Sequence, residues 1–140
     1  MKKLGQLFAL YAGNRIMLSI DEFTEQMDKI SEELPEVFYK ELNGGIMILP
    51  DIRRSPYAVA DDLYILGSYH SNTSMGRYIE IYYGSFEKLF SWMTEDALIE
   101  KMRDTLYHEF THHIESLAGE KGLEIKDEEG IKKYMRKHGV

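Results

Sequence analysis

Thr105-Leu106-Tyr107-His108-Glu109-Phe110-Thr111-His112-His113 is the run on which the fold and chemistry of this chain turn. In a helix, residues four apart project from one face, so His108 and His112 can aim two imidazole nitrogens at a single ion. Glu109 then lies beside that ion, placed to hold a water and take its proton. Of the five histidines in the chain, three fall within these six residues from His108 to His113. That clustering points to metal binding rather than to a solvated helix face.

The helix around the motif can be traced outward. Thr94 is a suitable N-cap, and Glu95 and Asp96 complement the helix dipole in the first turn. Leu98, Met102, Leu106 and Phe110 form one apolar stripe, with His108, Glu109 and His112 in the neighbouring sector. The helix is expected to reach about Leu117 and to stop near Gly119.

Composition limits what completes the site. With 140 residues and 44% hydrophobic content, the chain suits one domain, 1–140, with residues 1–16 as an N-terminal extension. The chain has no cysteine, so a metal must be held by His, Asp and Glu, which suits catalytic zinc. A formal charge of -7 argues against nucleic acid and against an anionic membrane surface as partners. Met1-Lys2-Lys3 with Leu4 to Ala12 only faintly resembles a signal peptide, so a cytoplasmic location is expected.

Upstream, Ser19 and Glu22 form a capping box before a helix from about Asp21 to Glu33, with Phe23, Met27 and Ile30 turned inward. Pro35 fits the first turn of a second helix whose buried side is Val37, Phe38 and Leu42, ended by Asn43-Gly44-Gly45. Ile46 to Leu49 reads as an internal strand, and Pro50 to Asp62 as an irregular loop. Leu63 to Tyr69 and Arg77 to Tyr83 read as two strands joined by Ser71 to Gly76. In the second strand, Tyr78, Glu80 and Tyr82 alternate with Ile79, Ile81 and Tyr83, giving one half-exposed and one buried face. Phe86 to Met93 is expected to be a short helix with Leu89, Phe90 and Trp92 packed inward.

Two histidines do not complete a catalytic zinc site, which takes a third protein ligand and an open position. Metzincin spacing is excluded, because Glu115 and Ala118 stand where glycine and a ligand would be needed. Glu115 lies on the histidine face but about 5 Å further along the axis than His112. Beyond Gly119 and Gly122 the chain can turn back and offer Glu124, Asp127, Glu128 or Glu129. Asp127 also fits as the N-cap of a C-terminal helix carrying Ile131, Tyr134 and Met135.

From about Met17 onward the sequence resembles the small bacterial zincin-like metallopeptidases, or minimal zincins. The likeness rests on Leu34-Pro35-Glu36-Val37-Phe38, Pro50-Asp51, Leu66-Gly67-Ser68-Tyr69, Gly76-Arg77-Tyr78-Ile79 with Ile81-Tyr82-Tyr83, and Thr105 to His113. It implies an α+β, zincin-like fold: a small mixed β-sheet packed on helices, with a long HExxH helix below it. It further implies Zn2+ held by His108, His112 and Asp127, and Glu109 as the base that activates a zinc-bound water for peptide hydrolysis. The implied partner is a peptide or protein substrate lying along Arg77 to Tyr83 as an edge strand, with Tyr82, Tyr83 or His113 available to the oxyanion. The sequence departs from the family at Glu115, where glycine is usual, and in the apparent insertion from Glu115 to Lys121. The rival reading is a metal-binding or peptide-binding module that does not hydrolyse, and a third is a metallohydrolase for another substrate. Oligomeric state is not legible in the sequence.

Overall fold

The computed structural model describes residues 17–58, 63–121 and 133. The N-terminal extension and the downstream acidic segment with Glu124, Asp127, Glu128 and Glu129 lie outside the described residues. So does the expected C-terminal helix, apart from Lys133.

The chain is α+β. Helix α1 (Ile20–Ser31) opens on the expected capping box: the Glu22 amide donates to Ser19 Oγ at 3.1 Å and the Ser19 amide to Glu22 Oε1 at 2.9 Å. Its Phe23, Met27 and Ile30 are buried as the spacing predicts. A single 3-10 turn (Glu36–Tyr39) follows Pro35. Phe38 and Leu42 are buried, but Val37 faces solvent, because three residues per turn sends it away from the side that a full α-helix would bury.

Strands β1 (Gly45–Leu49), β4 (Gly67–Asn72) and β5 (Gly76–Tyr82) form the main sheet in the order β1-β5-β4. β1 runs parallel to β5 and β4 antiparallel, so the sheet is mixed. Two expectations are corrected here. The apolar run Ile46–Leu49 is an edge strand rather than an internal one, and Arg77–Tyr82 is the central strand rather than the edge. A short ribbon, β2 (Arg53–Arg54) paired with β3 (Tyr64–Ile65), interrupts the expected loop. It lays Arg53 over the Tyr82 ring, 4.7 Å from the centroid, which is how a tyrosine on the outer sheet face comes to be buried.

Helix α2 (Tyr83–Phe90) starts as soon as β5 ends, so Tyr83 is helical rather than the last strand residue. Helix α3 (Glu95–Lys121) runs 27 residues, capped by Thr94 Oγ1 accepting from the Ala97 amide at 3.3 Å. Gly119 lies inside α3 instead of ending it. Trp92, expected inside, is 72% exposed between the two helices, its indole donating to the Leu89 carbonyl at 2.7 Å.

Ile79 and Ile81 on the inner sheet face, α1, and the α3 stripe of Leu98, Met102, Leu106, Phe110, Ile114 and Leu117 close the core. Arg103 of α3 clamps Glu33, just past α1, through Nε at 2.7 Å and Nη2 at 2.8 Å, and the Tyr107 hydroxyl donates to the same carboxylate at 3.2 Å. Gly67 lets α3 lie hard against β4: a Cβ there would stand 3.2 Å from Thr105 Cγ2 and 3.1 Å from Ile81 Cδ1. Among the described residues, no helix is long and apolar enough to cross a membrane.

Candidate metal centre

The motif residues leave α3 in three directions. Phe110 and His113 point into the core, His108 and His112 are exposed, and Glu109 lies between them in position, only 6% exposed. The Nε2 atoms of His108 and His112 are 3.2 Å apart. Two nitrogens bound tetrahedrally to one zinc at roughly 2.0–2.1 Å would be separated by about 3.3–3.4 Å. A ring-to-ring hydrogen bond has the same spacing, so the distance is compatible with two ligands of one ion.

Glu109 shows the strongest electrostatic signal of the motif. Burial alone pushes its carboxyl up to about 7, since the charged form loses hydration. His108, Glu109 and Gly67 line both cavities that flank the pair. One, of about 510 Å³, extends past Leu66, Thr105 and Phe90; the other, of about 650 Å³, extends past Ser68, Tyr69, His112 and Glu115. Both border β4. The edge strand beside the histidines is therefore β4, the neighbour of the strand assigned that place from sequence.

His113 takes no part in the metal-facing side. Its ring is fully buried, with Nε2 2.8 Å from the Lys40 carbonyl and Nδ1 2.9 Å from the Tyr69 hydroxyl. The carbonyl can only accept, so Nε2 carries the proton and Nδ1 accepts from Tyr69. Burial holds the ring's pKa below its ordinary value. The other two oxyanion candidates are also engaged elsewhere. Tyr82 shares hydrogen bonds with Ser68 Oγ at 2.6 Å and Glu80 Oε1 at 3.1 Å, on the outer face of the sheet, and Tyr83 donates to the Leu18 carbonyl.

Glu115 Oε2 lies 3.8 Å from His112 Nδ1, the nitrogen turned away from His108, too far for a hydrogen bond. Among the described residues, no three His, Asp or Glu side chains converge as a metal-holding group. His108 and His112 are thus two candidate ligands, and Asp127 and Glu124 lie outside the described residues.

No protein-family model and no curated protein matches the chain. Among solved structures, it is similar to a conserved hypothetical protein from Thermus thermophilus, at 30% identity with a TM-score of 0.58. The match covers 72% of this chain and 98% of that one. The chain belongs to that protein's family. Near-complete coverage of the relative makes its α+β architecture the family's shared scaffold, on which the two exposed histidines and the buried carboxylate are carried here.

Proposed function

We propose that the chain is a zinc-dependent metallopeptidase on a zincin-like fold. The observation that carries this reading is the juxtaposition of His108 and His112, with Nε2 atoms 3.2 Å apart, and a Glu109 carboxyl buried beside them at the edge strand β4. His108 and His112 would hold the ion, with Asp127 as the third ligand on the pattern of the resembling family. When bound, zinc supplies a Lewis acid that polarises a carbonyl and makes water a competent nucleophile near neutral pH.

The residues of the chain supply the remaining steps. Glu109, with a pKa of about 7 from burial alone, exchanges protons near neutrality, and a cation beside it draws that value down toward the base form. It accepts a proton from the attacking water and returns it to the leaving amine. A peptide in extended form lies along β4, where alternate backbone groups, those of Gly67 among them, turn away from β5. The rival reading, a metal-binding module without hydrolysis, leaves a buried acid between the ligands with no task, and burying a carboxyl without purpose is costly.

The test is zinc content and cleavage of a peptide library by wild type and Glu109→Gln. The variant is expected to retain zinc and lose roughly 100-fold or more in cleavage rate. Full zinc in both proteins with the same background-level cleavage would sink the peptidase reading.

A further inference from the structure

The 510 Å³ cavity asks for more than a passage for peptide backbone. Its inner wall is apolar: Leu66 and Phe90 pack against the hydrophobic core, with Tyr64 beside them. Its rim carries charges of both signs, Lys101 and Asp104, both exposed on α3. The Lys101 ammonium leans over the Phe90 ring, 5.6 Å from its centroid, so the positive charge is already drawn to the wall. The opposite charges of Lys101 and Asp104 offset each other on the rim, and away from His108 and Glu109 the wall offered by Tyr64, Leu66 and Phe90 is apolar.

Position defines its occupant. The cavity shares Gly67, His108 and Glu109 with the cleft on the other side of the histidine pair. A chain lying along β4 with its scissile bond at Glu109 therefore presents one flanking side chain at this mouth. Gly67, packed closely against Thr105, lines this mouth with backbone only. We propose that Tyr64, Leu66 and Phe90 form a specificity pocket for a large apolar side chain, aromatic or long aliphatic, on the residue next to the scissile bond. This rests on the metallopeptidase reading and adds the substrate class to it: peptides cut beside a bulky apolar residue.

The test uses calorimetric binding of three hydroxamates to the full, zinc-loaded chain: acetohydroxamate, and two dipeptide hydroxamates differing only in a methyl or a benzyl side chain next to the chelating group. A hydrophobic pocket discriminates roughly 10- to 200-fold for each methylene that it accepts, so benzyl is expected to bind at least tenfold more tightly than methyl. Asp104→Trp, a change at an exposed helix position, fills the mouth without disturbing the core. It is expected to bring the benzyl-to-methyl ratio close to one, and Leu66→Ala to shift the ratio by a smaller amount. Acetohydroxamate has no side chain for the cavity and reports the zinc site by itself. Equal binding of benzyl and methyl in wild type, with acetohydroxamate bound, overturns the pocket and leaves the zinc reading standing. A benzyl preference that survives Asp104→Trp also overturns it. Failure of all three hydroxamates to bind overturns the zinc reading, and the pocket with it.

Discussion

Adjacent histidines in α3 have opposite environments, and helix geometry is the reason. One residue advances the helix by about 100°, so His112 faces solvent and the Nε2 of His108, while His113 is driven under β4 against Tyr69 and Lys40. His113 is therefore a fastener: its Nε2–H donates to the carbonyl after the 3-10 turn, and its Nδ1 accepts a hydrogen bond from the Tyr69 hydroxyl of the edge strand. Tyr69→Phe removes that donor and leaves a buried ring nitrogen unsatisfied, which is expected to destabilise the fold by about 1–2 kcal/mol in urea denaturation. Zinc content should not change, because the hydroxyl is hydrogen-bonded to His113, the buried ring of the motif. Loss of zinc in Tyr69→Phe with unaltered stability would put His113 on the metal side after all. The doubled histidine is plain in the sequence, but which ring stays at the surface and which fastens depends on what lies across from α3, and that is a property of the packing.

Single elements were legible wherever their signal is local. The Ser19–Glu22 box, the Phe23, Met27 and Ile30 face of α1, and the Thr94 cap of α3 all depend on neighbours within a few residues, and all stand as read. The capping box has its own test. Ser19→Ala is expected to cost about 1 kcal/mol of stability. The Ser19 backbone N–H, and then its hydroxyl contact, hold the Glu22 carboxyl below its ordinary value. A depressed acid stabilises the folded state fully above its unfolded pKa, and that contribution disappears as pH falls through the folded one. Stability should therefore fall less steeply on the acid side, below about pH 4.5, in Glu22→Gln than in wild type, as followed by thermal melts across that range. Identical acid limbs would remove Glu22 from the cap. Strand order was not legible, because a short apolar run such as Ile46–Leu49 has the same composition at an edge that a helix covers as at a sheet centre. Gly119 misled for a related reason: glycine ends a helix only when its backbone turns left-handed, and here it continues the turn in open space at a cost of roughly 0.5–1 kcal/mol relative to alanine.

At the scale of the whole molecule, the site lies where α3 is held from two sides. Arg103 and Tyr107 fix it to Glu33 behind α1, and Gly67 allows β4 to close on it at Thr105. These contacts hold the stretch of α3 that carries the two histidines. The proposed third ligand, Asp127, would then make zinc a clamp between a rigid helix and the chain that follows it, so metal binding should appear as folding stability. At free zinc of about 100 times Kd, the folded state gains about 2.7 kcal/mol, which for a domain of this size raises Tm by several degrees. Melts with zinc and with EDTA are expected to differ by that amount in wild type and to coincide in His108→Ala. Asp127→Ala should lose most of the zinc-dependent shift. Glu115→Ala should keep most of it, since Glu115 stands 3.8 Å from the outer nitrogen of His112, beyond hydrogen-bond distance. A full shift in Asp127→Ala with none in Glu124→Ala would transfer the ligand to Glu124. A full shift in both, with none in Glu115→Ala, would bring the third ligand back onto α3 and make the helix alone the metal site.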